Sequence, residues 1–479
     1  MGRYREYNPK QGFFSALDSE KIKASSPLLT IVDYFVETHL DVQVFEAKLK
    51  NQEGGAEAVH PKLLLKVLLY GFSTGVRSYR DIEDHLKWDP YFLVLSCQEN
   101  IDHTTLCKFI LKYSEEFDDY LTKLMYVLEE MGLARQECVA IDGTKIEANA
   151  SLRRFIGTPE DYRAKSIKLA QQIQQMKEES QQQTEETDKA VRKLEESKEE
   201  IDRFMEDLKK RQIPHKETDR LHPVDAEARF VKEEHTTLLG YNAQIAVDGQ
   251  SHLIVAADVF NEASDSVLFK PMVEELPADP AEKHSLLLQD AGYFSSENIV
   301  YCEENNLDAY IPEGKKADGG KESGLETISS KDCQLENHGQ MKVLICPNEQ
   351  RMESYKTSHA GGGKHYYYFW PDPNICATCP VRERCLGKSK TKKRFKVKRE
   401  YMDSLPARQR MRTKLSTEQG KKIYRSRAST VEHVFGMIKE IFHFRRFHHR
   451  GLKKVKLIWR MICAAYNFRR LAVLGFSPS

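Results

Sequence analysis

AIDGTKIEANAS, residues 140–151, decides the reading of this chain. The apolar run Cys138, Val139, Ala140, Ile141 predicts a buried strand that delivers Asp142 to its carboxy-terminal end. A carboxylate there stands on a rigid support, where it attracts a metal ion or a proton. Gly143 and Thr144 then predict a turn away from the strand. By itself an Asp-Gly after an apolar strand is most simply that turn, so the reading depends on partners elsewhere.

Two further acids qualify. LLLQDAGYFS at 286–295 repeats the arrangement: an apolar strand, Asp290 at its end, a glycine turn, then Ser295 or Ser296 as a helix cap. If 286–290 lies parallel to 138–142, both acids leave one sheet edge within reach of one cation. Carboxylates that close repel unless a divalent ion neutralises them, and oxygen-only ligands select Mg²⁺ or Mn²⁺. Asp258 competes, but it ends the outer strand of a hairpin. The third acid lies in STVEHVFGMIKEIFHFRRF at 429–447, where Val431, Phe435, Ile438 and Phe442 form a helical stripe. Glu432 borders that stripe, and Lys439 falls two turns along the same face, with Arg427 nearby. Together they would face phosphates; alone, Glu432 and Lys439 read equally as a routine charged helix face.

The surrounding chain supplies the context. Its 479 residues exceed one compact core. No apolar run is long enough to span a membrane and MGRYREYNPK has no signal-peptide core, so the expectation is a cytoplasmic protein with reduced thiols. Residues 1–136 read as helical: Pro27–Leu40, a helix opened by Pro61, another capped by Ser78, and a long one from Asp102 or Thr104 to about Glu130. They suit either a helix-turn-helix module or a plain bundle. GYNAQIAVDGQSHLIVAADVF at 240–260 is a hairpin, followed by a helix near 265–276 and a short strand at 308–312. Residues 160–212 place Val191, Leu194, Ile201, Met205 and Leu208 on heptad-like spacing, predicting a helical hairpin or short coiled coil, or else a solvated helix. The result is a mixed α/β chain with interruptions.

Two features remain. CATCPVRERC groups Cys376, Cys379 and Cys385, and with Cys346 they suit a structural Cys₄ zinc site in a loop-rich insert at about 313–420; unliganded thiols are the alternative, and His359 or His365 are substitute ligands. Residues 388–470 carry 26 Lys plus Arg against 5 Asp plus Glu, an excess that calls for a polyanion such as DNA. Arg445, Arg446, Arg450, Lys453 and Lys454 are candidate phosphate contacts, while Leu457, Ile458, Met461, Ile462 and Ala465 read as a buried face.

The ordered set AIDGTKIEANAS, GYNAQIAVD, QDAGYFS and TVEHVFGMIK resembles the DDE transposases of bacterial insertion sequences. It is most similar to the branch named IS eleven-eighty-two, related to the IS-four-like group. The likeness runs from HPKLLLKVLLYGFSTGVRSYRDIE at 60–83 to RGLKKVKLIWRMICAAYNFRRL at 450–471. It implies a helical N-terminal domain at 1–136 and an RNase H-like catalytic core beginning at 137–312. Insertions fall at about 160–212 and 313–420, and the core closes with 421–479. It also implies the triad Asp142, Asp290 and Glu432 on Mg²⁺ or Mn²⁺, with two ions activating the nucleophile and stabilising the leaving oxygen. Lys439 fits the family's signature, but Ala428 occupies its arginine position, leaving Arg427 or Arg425 to hold the phosphate. The expected protein is a DNA transposase of the bacterial cytoplasm and nucleoid. It would act as a homodimer on double-stranded DNA with terminal inverted repeats and on target DNA. The alternatives are a DNA-binding protein of the same fold without activity and a general metal-dependent nuclease.

Overall fold

The computed structural model describes residues 19–48, 57–179, 185–233, 236–314, 328, 330, 332–339, 341–360, 364–386 and 394–478. The chain divides into two compact units, Met1–Asp279 with Ala428–Ser479, and Pro280–Arg427. It is mixed α/β, with a helical N-terminal region followed by sheets, as expected.

The first unit opens with α1 Ser19–Ala24, α2 Pro27–His39, α3 Gln43–Glu46, α4 Pro61–Thr74, α5 Tyr79–Trp88, α6 Pro90–Leu95, α7 His103–Lys112 and α8 Ser114–Glu130. Local chemistry sets these ends. Ser26 accepts from Leu29 N–H and Pro27 follows it at the first helical position, while Gly75 at φ 88° closes α4. Helix α4 is buried from Leu63 to Ser73, with Lys62 half-buried near its start. The helix expected to run from Asp102 to Glu130 is broken at Tyr113 (φ −112°, ψ 28°), whose buried ring packs 5.3 Å from both Phe45 and Phe109. That packing outweighs continuous helix.

The sheet of this unit comprises β1 Cys138–Glu147, β2 Arg229–Glu233, β3 Thr236–Asp248 and β4 Ile254–Phe260. Strand β3 pairs antiparallel with each of the others. The turn expected at Gly143 is absent: β1 continues to Glu147, with Asp142 opposite Ile245 and Gly143 opposite Gln244. Strand β2 has no counterpart in the sequence reading. Between β1 and β2, α9 Pro159–Glu179 packs on α10 Glu185–Lys210 around Tyr162, Leu169, Ile201, Phe204 and Leu208. Phe204 rather than Met205 fills the buried position there.

Helix α11 spans Phe269–Glu274. In the second unit, β5 Leu286–Gln289 and β6 Asp308–Tyr310 form a parallel pair around α12 Ser296–Glu304. Next come β7 Gln334–His338, β8 Met341–Ile345, β9 Arg351–Ala360, β10 Lys364–Phe369 and β11 Phe395–Lys398, an antiparallel sheet in the order β11-β10-β9-β8-β7. Short helices α13 Pro373–Ala377, α14 Arg382–Leu386 and α15 Arg399–Asp403 and the longer α16 Leu405–Ser416 accompany it. The insert expected to be loop-rich therefore has its own core, of Leu344, Met352, Phe369, Phe395, Val397, Met402 and Leu405.

Helix α17 spans Glu418–Gly436 and α18 spans Leu452–Val473. Within the first unit α18 packs against α2, α4, α8 and β4 and is buried continuously from Leu457 to Phe468. Trp459 Nε1 donates to Gln244 O at 3.0 Å, and Asn467 holds β4 through both backbone groups of Ile254. The buried face read from Leu457, Ile458, Met461, Ile462 and Ala465 is thus the internal support of the sheet, while Arg450, Lys453 and Lys454 before it are exposed. Among the described residues no helix is long and apolar enough to cross a membrane.

Candidate active site

Asp142 stands half-buried in the middle of β1, its Oδ1 accepting from Gly143 N–H at 2.9 Å. On the opposite face of the strand a polar network fixes the sheet. Lys145 Nζ and Asn242 Nδ2 both reach Asp265 Oδ1 at 2.7 Å, and Gln244 Nε2 bonds Asn242 Oδ1 at 2.8 Å and Asp265 Oδ1 at 3.0 Å. Lys145, Asn242 and Gln244 escaped the sequence reading because alternate polar positions in a strand normally read as solvent-facing, and Asp265 because an acid at the start of a helical turn reads as a cap. Asp258 is buried within β4 and ion-paired to Lys456 at 2.7 Å.

In the second unit Asp290 follows β5 as expected. Its Oδ1 accepts from Gly292 N–H at 2.8 Å, capping a short 3₁₀ turn, and Ser295 caps α12 through Asn298 N–H. Glu432 is exposed on α17 beside buried Val431 and Val434; Val434 takes the buried place expected of Phe435. Residues Met437–Ile441 form a π turn, with Phe442 N–H bonded five residues back to Met437 O at 3.0 Å. The α-helical spacing that aligned Lys439 with Glu432 does not hold through this wider turn. Such turns cluster at functional sites.

Beyond the π turn the chain returns to β1. Glu147 bridges Arg446 in parallel: Glu147 N–H donates to Arg445 O at 3.2 Å and Phe447 N–H to Glu147 O at 2.8 Å. The strand carrying Asp142 and the segment that follows Glu432 are therefore joined backbone to backbone. Nearby, Arg77 donates to His443 O at 2.9 Å and Tyr79 Oη bonds His449 Nε2 at 3.1 Å. Burial, then the charges of His448 and Lys454, push the His449 imidazole down to about 4.

The sequence model of the family described as "Transposase DDE domain" matches residues 345–472, and that described as "Transposase domain (DUF772)" matches residues 18–112. Both matches are to transposase domains, and together they support a DDE-type insertion-sequence transposase. No curated protein and no solved structure matches it. The DDE match contains Glu432, the π turn and most of α18, and the second match covers α1 to α7.

Several of the basic candidates are held by the protein's own fold. Arg445 pairs with Glu440 and Lys453 with Glu115. Arg446 Nε donates to Ala148 O at 3.3 Å and Arg450 Nε to Asn149 O at 3.0 Å. Lys454 and Arg425 are exposed, and Arg427 and Lys439 are half-buried. In the second unit a cavity of about 410 Å³ is lined by Cys346, Cys376, Cys379 and Cys385. Burial first, then the neighbouring Cys385, Cys379 and Cys346, push the Cys376 thiol up. Its Sγ lies 3.7 Å from Gln350 Oε1. The side chain of His359 lies outside the described residues. Among the described residues no three His, Cys, Asp or Glu side chains converge closely enough to hold a metal ion. By donor chemistry alone, the three carboxylates suit Mg²⁺ or Mn²⁺ and the four thiols suit zinc.

Proposed function

We propose that the transposase cuts its element's terminal inverted repeats and joins them to target DNA, with Asp142, Asp290 and Glu432 as the metal-holding carboxylates. The observation that carries this reading is the backbone tie between Glu147 and Arg446, which couples the strand bearing Asp142 to the segment following Glu432. Bound Mg²⁺ or Mn²⁺ would supply Lewis acidity toward a phosphodiester and a more acidic attacking water or 3′-hydroxyl. The hydrogen bond from Gly143 N–H fixes the Asp142 carboxylate, and that from Gly292 N–H fixes Asp290, so neither must be ordered when DNA arrives. Lys439, Arg427 and Arg425 serve the phosphate at the cut, and Lys454 with the arginines after the π turn serves flanking phosphates. Joining two ends in concert calls for two copies of the chain on DNA. Cys346, Cys376, Cys379 and Cys385 are proposed to hold a structural zinc, separate from the reaction.

The test is full-length protein with Mg²⁺ and duplex DNA carrying the sequences that flank its gene, read as strand cleavage and joining. Wild type is expected to cut at the repeats, and Asp142→Asn, Asp290→Asn and Glu432→Gln to bind the duplex without cutting it. Undiminished cleavage by any one variant removes that residue from the site. Equal cutting of unrelated duplex identifies a general nuclease instead.

A further inference from the structure

The antiparallel sheet of the second unit has one face committed to its core and another that is chemically distinct. Along β10 and β11, Tyr367, Phe369, Phe395 and Val397 turn to the core, where Met402 of α15 and Leu405 of α16 cover them. Alternation sends Tyr366 and Tyr368 to the other face, with Lys396 and Lys398, while Trp370, one residue past the end of β10 and part of the lining of the cysteine-lined cavity, lies next to Arg394. The register confirms the sharing of that face: Tyr366 stands opposite Lys398, and Tyr368 opposite Lys396.

The side chains form a band of rings and cations. Tyr366 and Tyr368 have ring centroids 6.4 Å apart. Arg394 lies 4.8 Å from the Tyr368 ring and 5.7 Å from the Trp370 ring, and Lys396 lies 5.5 Å from Tyr366. Trp370 is 49% exposed, and Arg394, Lys396 and Lys398 are exposed on an edge strand and its approach. Neither β10 nor β11 contains an acid; Glu336 and Glu353 lie on β7 and β9, and Glu336 pairs with Arg351 at 2.9 Å. A half-exposed tryptophan near two half-buried tyrosines, with three cations that make no ion pair among the described residues, forms a mixed aromatic and basic surface. Duplex DNA hides its base faces, so it would use the cations and leave the rings idle. An unpaired strand uses both, stacking bases on the rings and setting phosphates against the cations.

We propose that the face formed by Tyr366, Tyr368, Trp370, Arg394, Lys396 and Lys398 binds single-stranded DNA. The inference rests on the reading that the chain acts on DNA, and it assigns this sheet to the strand left unpaired when an element end is opened or cut. A strand that docks takes over the ring faces and offers its phosphates to the cations that now cover them.

The experiment uses full-length protein in EDTA, so that neither metal nor cleavage enters, with a fluorescein-labelled (dT)₂₀ and a 20-base-pair duplex as probes. Trp370→Leu and Tyr368→Ala are each expected to weaken (dT)₂₀ binding about 10-fold and to leave duplex binding unchanged. Lys396→Gln and Lys398→Gln should each lower the slope of log affinity against log salt by about 0.7. Trp370→Leu keeps an apolar side chain at an exposed site, so it tests the face even if Tyr368→Ala disturbs the sheet. Unchanged (dT)₂₀ affinity in Trp370→Leu at wild-type melting temperature overturns the proposal, as does equal weakening of both probes. Element-end cleavage by wild type and Asp142→Asn reports separately on the transposase reading, because residue 142 plays no part in the (dT)₂₀ measurement.

Discussion

The side chain of Gln244 occupies the space that a β-carbon on Gly143 would need: its Cδ lies 2.7 Å from that position, and Asn242 Oδ1 lies 3.0 Å away. The glycine after Asp142 therefore serves close packing across β1 and β3, letting Gln244 reach Asp265 beneath the carboxylate-bearing strand.

Gly143→Ala should push Gln244 off Asn242 and Asp265 and cost about 1–3 kcal/mol in urea unfolding. Because the same residue's N–H holds Asp142, cleavage should fall as well. In the double variant Gly143→Ala/Gln244→Ala much of the stability loss should return. A strictly additive cycle would show that the two side chains do not compete for one space.

Stability should depend on His449 at mildly acidic pH. Its folded pKa, near 4, lies below the ordinary histidine value, so the unfolded chain takes up a proton that the folded chain refuses. The stabilisation is full above the ordinary value and declines as pH falls from about 6.5 toward 4, by up to about 3 kcal/mol. His449→Gln, which keeps a partner for Tyr79, should flatten that part of the stability profile in chemical denaturation.

Lys66 is 2% exposed on α4 and is bonded to Asp33 and Glu37 of α2, both at 2.5 Å. Lys66→Met should cost about 3 kcal/mol, the low end for a broken buried pair, because Lys23 still serves Asp33 and Lys62 still serves Glu37. Burial by itself would raise the Asp33 carboxyl, but Lys66 and Lys23 hold it below the usual range. Its contribution is therefore present at neutral pH and is lost as pH falls through the carboxylate range. Thermal melts from pH 7 to 3 should show a smaller acid-induced loss in the variant than in wild type.

Metal analysis of gently purified protein should find about one zinc per chain. Cys379→Ser should release it and lower the melting temperature while leaving the carboxylate chemistry in place. Zinc-free protein of full stability would reduce the cysteines to packing groups around their cavity.

What the sequence determined by itself was local. The apolar run before Asp142, the strand and cap around Asp290, the 240–260 hairpin, the Asp102 cap and the proline helix starts are fixed by neighbours a few residues away, and periodicity and capping report them directly. The order of its four motifs was enough to indicate the transposase family. What only the tertiary structure decided depended on contacts distant in sequence. Gly143 became part of a strand because Gln244, a hundred residues on, needs the room. Tyr113 broke a helix because Phe45 and Phe109 hold its ring. The π turn reset the face that Lys439 was expected to share with Glu432. The insert judged poor in core proved to be a sheet, because in HYYYFW every residue is aromatic and alternation alone does not say which rings go inward. Only pairing with Phe395 and Val397 of β11 turns Tyr367 and Phe369 to the core and leaves Tyr366 and Tyr368 facing out.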